Sequence, residues 1–133
     1  MLTGMSRMEL RPDPGSPRKA RSFVRKVLEE WGIDQPVIDD AALLVTEVVT
    51  NAVIHAQTSI TVEMTRQDDH LRFRVSDLDD HQVTRRQPSE QEPTGRGMFL
   101  VDSIASDWDV VYGDDGKTVR FSLAVGDRET ERV

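Results

Sequence analysis

Glu47, Asn51 and His55 follow one another at i, i+4 and i+8, the spacing that stacks side chains along one side of an α-helix. At about 100° per residue they form a slightly drifting polar stripe, with Asp40 near it and Leu43, Leu44 and Ile54 on its flanks. Val45, Val48, Val49, Ala52 and Val53 share a broad apolar face on another side. A carboxylate, an amide and an imidazole rimmed by leucine-type side chains read as the wall of a site. The competing reading is a solvated stripe, because a helix buried on one side must have a polar side, where Glu and Asn are common. The stripe alone does not separate the two readings; the rest of the chain has to.

Three further signals follow in order. Asp77 ends an alternating strand, Leu71 to Leu78, where a long loop begins. A carboxylate there can accept a hydrogen bond from an amino group such as that of adenine, although Asp in a turn is commonplace. Thr94–Gly95–Arg96–Gly97 stands immediately before a helix. Glycines let the backbone approach a ligand closely, helix N-termini present free N–H groups to phosphate oxygens, and Arg96 adds charge. Gly116–Lys117–Thr118 enters the last strand, where the Thr118 hydroxyl can face the same pocket. Each of these alone is better explained as an ordinary loop or hairpin turn. It is their order, acid-and-amide helix, strand-end Asp, glycine-led helix and Gly-x-Thr strand, that carries weight.

The elements that must hold these residues can be read from periodicity. Met5 to Leu10 alternates loosely as an edge strand and stops at Pro12–Asp13–Pro14–Gly15. Ser16 and Pro17 suit the N-cap and first turn of a helix running to about Trp31, with Gly32 at its C-terminal stop. A second helix begins at Asp34 or Gln35, carries the polar stripe and ends near Ala56. Thr58 to Thr65 and the strand from Leu71 form a hairpin across Gln67–Asp68–Asp69–His70. Residues 79–96 lose apolar periodicity, and a loop of that length is usually functional or disordered. A short helix from Met98 to Ala105 leads to a last hairpin, Trp108 to Tyr112 and Thr118 to Val125. The pattern predicts an α+β fold, a mostly antiparallel sheet with its helices on one face.

Composition excludes several functions. The 133 residues suit one domain with one core. A net charge of −7 argues against binding nucleic acid through its phosphates. Arg18, Lys19, Arg21, Arg25 and Lys26 crowd the first helix and read as a solvated face. There is no cysteine, hence neither disulfide nor thiol catalysis, and neither a membrane-length apolar run nor a signal-peptide core is present. A cytoplasmic protein is the expectation.

The order of motifs resembles the Bergerat-fold ATP-binding superfamily of gyrase, histidine kinases and mismatch-repair ATPases. Within it the chain is similar to the short, stand-alone anti-sigma-factor serine/threonine kinases and their actinobacterial relatives, from about Ala20 to Val125. Glu47-x-x-x-Asn51-x-x-x-His55 matches the N box, Gly95–Arg96–Gly97–Met98 the second glycine box, and Gly116-x-Thr118 the last one. The resemblance implies a two-layer α/β sandwich with a mostly antiparallel mixed sheet and an ATP lid. It further implies a single histidine-kinase-like ATPase domain over residues 1–133, with the lid at about 79–96 and a frayed tail from about 126.

Carried over residue by residue, the resemblance makes Asn51 a ligand of Mg²⁺, whose shell the phosphates of ATP complete. Glu47 is implied as the general base, Asp77 as the reader of the adenine amino group with Thr118 beside it, and Gly95, Arg96, Gly97 and Met98 as the phosphate cradle. His55 receives no role. One departure stands out: Asp77–Leu78–Asp79–Asp80 occurs where the family has Asp-x-Gly. Asp79 replaces a glycine that makes room for the base, and two acids near a triphosphate repel it, so reduced affinity is expected.

The leading functional reading is a Mg-ATP-dependent protein serine/threonine kinase that phosphorylates a small antagonist (anti-anti-sigma, STAS-type) protein and sequesters a sigma factor or similar regulator. The resemblance also implies a homodimer, while the charge and the apolar pattern of the chain lead us to expect neither nucleic acid nor membrane as a partner. A non-catalytic, partner-binding module that senses nucleotide or has lost it is the second reading, prompted by Asp79–Asp80. A pure ATPase or histidine-kinase core ranks below both, because His55, His70 and His81 fall in a helix, a turn and the lid.

Overall fold

Segments with period-two apolar alternation pair into a sheet, and the two long helices lie across one of its faces. The structure, a computed structural model, describes residues 3–78, 100–113 and 116–125. In chain order the elements are β1 (Thr3–Leu10), α1 (Ser16–Glu30), α2 (Gln35–His55), β2 (Ile60–Gln67), β3 (His70–Asp77), β4 (Asp107–Gly113) and β5 (Gly116–Ala124). A short helical stretch at 100–104 precedes β4. The sheet order is β1-β2-β3-β5-β4. Every ladder among these strands is antiparallel, so the parallel component of the expected mixed sheet is absent from the described residues.

Both helix boundaries of the α1–α2 corner have local causes. Gly32 adopts φ +74°; its N–H donates to the Glu29 carbonyl and the Ile33 N–H to that of Leu28. This paired arrangement satisfies the last carbonyls of α1 and brings buried Ile33 back onto Leu28. Arg66, reaching across from β2, donates to the Trp31 carbonyl at 2.7 Å. At the other end of α1 the N-cap is Gly15, not the expected Ser16. The Ser16 hydroxyl turns back and donates to the Arg11 carbonyl, closing the β1–α1 corner instead of capping the helix. Gly32→Ala forces a side chain into the left-handed region, and we expect it to destabilise the fold by roughly 1–2 kcal/mol, read as a lower urea midpoint with an unchanged slope.

The core lies between the helices and the sheet. α2 packs over β2, β3 and β5, while α1 packs beside α2 and over β1. Strand alternation sends Ile60, Val62, Met64, Leu71, Phe73, Val75, Val119, Phe121 and Leu123 towards the helices. Phe73 and Phe121 are cross-strand partners and stack at 4.8 Å between ring centres. Val101 is fully buried, and Trp108 donates from Nε1 to Asp102 at 2.9 Å, tying the 100–104 stretch to β4.

The other face of the sheet is charged. Arg7, Glu63, Arg74, Arg120 and Asp109 stand level across the five strands. Glu63 lies 3.8 Å from both Arg7 and Arg74, and Arg120 grips Asp109 through two nitrogens, holding that carboxyl below its usual range. A groove of about 350 Å³ on this face is lined by such side chains and by Met5. Of the basic residues on α1, Arg25 donates to Asp39 of α2 at 2.9 Å, and this bond, helped by Gln35, lowers the Asp39 pKa. Arg18, Lys19, Arg21 and Lys26 are exposed, the solvated face that was expected. Among the described residues no helix is long and apolar enough to cross a membrane.

Candidate functional site

Helix α2 divides its residues as the sequence pattern predicts, with one exception. Ile38, Ala41, Ala42, Leu44, Val45, Val48, Val49 and Ala52 are buried, so Leu44, read as a flank of the polar stripe, belongs to the core. Leu43 and Ile54 do flank it, 40% and 52% exposed. Between them Glu47, Asn51 and His55 are half-buried, at the margin between core and solvent. Thr46 and Thr50 donate their hydroxyls to the carbonyls of Ala42 and Thr46, which keeps these polar groups satisfied within the helix.

Asp77 is the last residue of β3 and, with only 4% of its surface exposed, is a buried carboxylate. It continues the alternation Phe73, Val75, Asp77 and therefore points to the side of the sheet on which α2 lies. Its ladder neighbours are Ile60 on β2 and Lys117 on β5. The Lys117 ammonium stands 3.8 Å from Asp77 Oδ2, and both side chains are largely sheltered. A buried carboxylate stays ionised only with compensating charge or hydrogen bonds, and Lys117 supplies such charge.

Thr118 is elsewhere. It pairs with Ser76, and the two hydroxyls lie 2.9 Å apart. Because Val119, Phe121 and Leu123 face the helices, Thr118 is out of phase with them and lies on the outer face of the sheet. The expected placement of Thr118 beside Asp77 is thus corrected: the neighbour of Asp77 is Lys117, one residue earlier. Sequence reasoning missed Lys117, although the phase of the apolar residues in β5 already puts it on the same side as Asp77.

The Gly-Lys-Thr segment is held tightly against β3. Gly116 has φ +132°, and a Cβ there would lie 2.0 Å from the Asp77 carbonyl oxygen and 2.8 Å from Leu78 Cα. The chain leaving β3 is fixed on its other side, where the Leu78 N–H donates to the Thr58 hydroxyl at 2.9 Å. Thr58, read as the start of a strand, instead precedes β2 and anchors this exit. Gly95, Arg96, Gly97 and Met98, together with Asp79, Asp80, the lid, the turn at 114–115 and the tail from 126, lie outside the described residues.

The arrangement combines a buried acceptor at a strand end, a close backbone approach at Gly116, and a helix whose exposed margin carries a carboxylate and an amide. The Asp77 carboxylate is an acceptor that suits the amino group of a polar ring. Among the described residues no three carboxylate or imidazole side chains cluster to hold a metal ion. The Asn51 amide oxygen, together with oxygen donors from a ligand, would match the preference of Mg²⁺ for hard oxygen ligands and retained waters.

Comparison with known proteins identifies the family and the fold. The model of the histidine kinase-like ATPase domain family matches residues 10–123, and the chain belongs to that family. Among solved structures it is similar to the RsbU and RsbW domains of Rv1364c from Mycobacterium tuberculosis, with 22% identity and a TM-score of 0.71 over 90% of this chain. It is also similar to the histidine kinase domain of the blue-light activated histidine kinase EL346 from Erythrobacter litoralis, with 24% identity and a TM-score of 0.54 over 68% of this chain. The chain spans 32% and 46% of those two chains, respectively. At these identities the likeness establishes the fold. No curated protein matches in sequence.

Proposed function

We propose that this chain is a nucleotide-dependent regulator: a Mg-ATP-binding serine/threonine protein kinase of anti-sigma type. In this reading it phosphorylates a small STAS-type antagonist and holds a sigma factor or similar regulator. The observation that carries the reading is Asp77, a buried carboxylate at a strand end on the side of α2, the helix that bears Glu47 and Asn51. Membership of the histidine kinase-like ATPase family and the likeness to a fold with an RsbW domain support it. A homodimer in the cytoplasm is the state in which we expect it to act.

In this reading Asp77 accepts a hydrogen bond from the 6-amino group of the base, and Asn51 holds Mg²⁺, which neutralises charge on the phosphates when bound. Glu47 takes the proton of a serine or threonine hydroxyl as that oxygen bonds to the γ-phosphorus and the bond to the bridging oxygen breaks, releasing ADP.

Calorimetric titration with ATP, with and without Mg²⁺, tests the pocket directly. Asp77→Asn is expected to weaken ATP by roughly 10- to 100-fold, the worth of one hydrogen bond to a charged group. Asn51→Ala is expected to abolish the Mg²⁺ dependence. A wild-type chain that binds no nucleotide at millimolar concentration would overturn the kinase reading in favour of a partner-holding module.

A further inference from the structure

The carboxylate of Asp77 carries a lysine as its companion, a pairing that the reading of Asp77 as the base acceptor leaves unexplained. We propose that Lys117 sets the base selectivity of this pocket. Its ammonium keeps the buried Asp77 carboxylate ionised, and so purely an acceptor, which makes the pocket take a purine with a 6-amino group and reject the 6-keto analogue. The inference rests on the nucleotide-pocket reading and goes beyond it in assigning selectivity to a residue other than Asp77.

Three observations carry it. The Asp77 side chain is 2% exposed, and burial drives a carboxyl towards its neutral form. The Lys117 ammonium, 3.8 Å from Oδ2, is close enough to stabilise the anion and too far to be a short hydrogen bond. Lys117 is also held in place. Its backbone follows Gly116, which is packed on the Asp77 carbonyl, and it is flanked by Asp77 on β3 and Tyr112 on β4. Among the described residues, Ile60, uncharged and fully buried, faces Asp77 from β2, and α2 carries Glu47 and His55 as the titratable side chains of its C-terminal half.

The chemistry of selection follows from hydrogen-bond inventories. An ionised carboxylate only accepts, whereas a protonated one also donates. Adenine offers an amino donor at position 6, which the anion satisfies. Hypoxanthine offers a keto oxygen there and an N–H at position 1. A carboxylate can accept from that N1–H but leaves the keto oxygen facing a second acceptor with no proton between them, while a neutral carboxylic acid pairs with both groups. The charge state of Asp77 therefore decides between the two bases, and the nearby Lys117 ammonium favours the ionised one.

The test compares wild type, Lys117→Met and Lys117→Arg in two measurements. The first, without nucleotide, follows the Asp77 carboxyl carbon by NMR across pH. Its midpoint is expected to rise by roughly 1–3 units in Lys117→Met and to stay near wild type in Lys117→Arg. The second is calorimetry with ATP and inosine triphosphate. At neutral pH the preference for ATP is expected to fall by roughly tenfold or more in Lys117→Met, one pKa unit being a factor of ten, and to return in Lys117→Arg. A Lys117→Met chain that keeps both the carboxyl midpoint and the ATP preference of a nucleotide-binding wild type overturns the role of Lys117 alone. A wild type that binds neither triphosphate overturns the nucleotide pocket itself, whatever the carboxyl titration shows.

Discussion

Glu47→Gln is expected to reduce phosphoryl transfer to a cognate protein by roughly 10²- to 10⁴-fold, the contribution of a well-placed general base. The substitution keeps the length and helix propensity of the side chain, so α2 and the core beneath it should be unaffected. Glu47 is half-buried on the margin of α2, beside 40%-exposed Leu43 and outside the apolar face that packs on the sheet. Its removal as an acid should therefore not disturb Asp77, which belongs to β3. The expected pattern is a collapse of kcat with a KM for ATP within about threefold of wild type, since an interaction made only in the transition state lowers kcat and kcat/KM together. Single-turnover transfer from labelled ATP to a candidate antagonist provides the measurement. If wild type and Glu47→Gln capture the same partner equally well and neither transfers phosphate, the chain is a binding module and the base is dispensable.

Much of the fold was legible because its decisive signals are local. The period of α2, the hairpin at Asp68–Asp69 and the stop at Gly32 each depend on a few neighbouring residues, and the structure has them within two residues of the expected places. Ser16 shows where local rules mislead. A serine before a proline is a good N-cap by propensity, yet its hydroxyl found the Arg11 carbonyl of the preceding corner. The site was legible in part. Asp77 could be singled out as a carboxylate at a strand end, but its burial depends on α2 and β5, which are distant in sequence. Thr118 was misplaced because motif spacing ignores strand phase. A shift of one residue exchanges the two faces of a sheet, so the Thr118 hydroxyl lies on the outer face and Lys117 on the face of Asp77. The alternation Val119, Phe121, Leu123 contained that answer.

Gly116→Ala is expected to be the most damaging single substitution in the hairpin, destabilising the chain by roughly 3 kcal/mol or more. Two effects act together. At φ +132° an L-side chain is strained, and the new Cβ would lie 2.0 Å from the Asp77 carbonyl oxygen, a backbone atom that cannot rotate away. The strand must move bodily, which opens the β3–β5 ladder at the point where Asp77 meets Lys117. Gly113→Ala is the matched control, because it is the ladder partner of Gly116 and lies at the same hairpin end. Among the described residues a Cβ at Gly113 meets only the Gly116 carbonyl oxygen at 3.9 Å, an ordinary contact, so its effect should stay within about 0.5 kcal/mol. Urea unfolding of the two variants separates backbone approach from simple glycine loss. Comparable midpoints would mean that the close contact between Gly116 and Asp77 relaxes freely and does not fix the pocket. A steep fall in Gly116→Ala alone, accompanied by a raised Asp77 carboxyl midpoint in whatever fraction stays folded, would show that this one glycine holds the charge pair together.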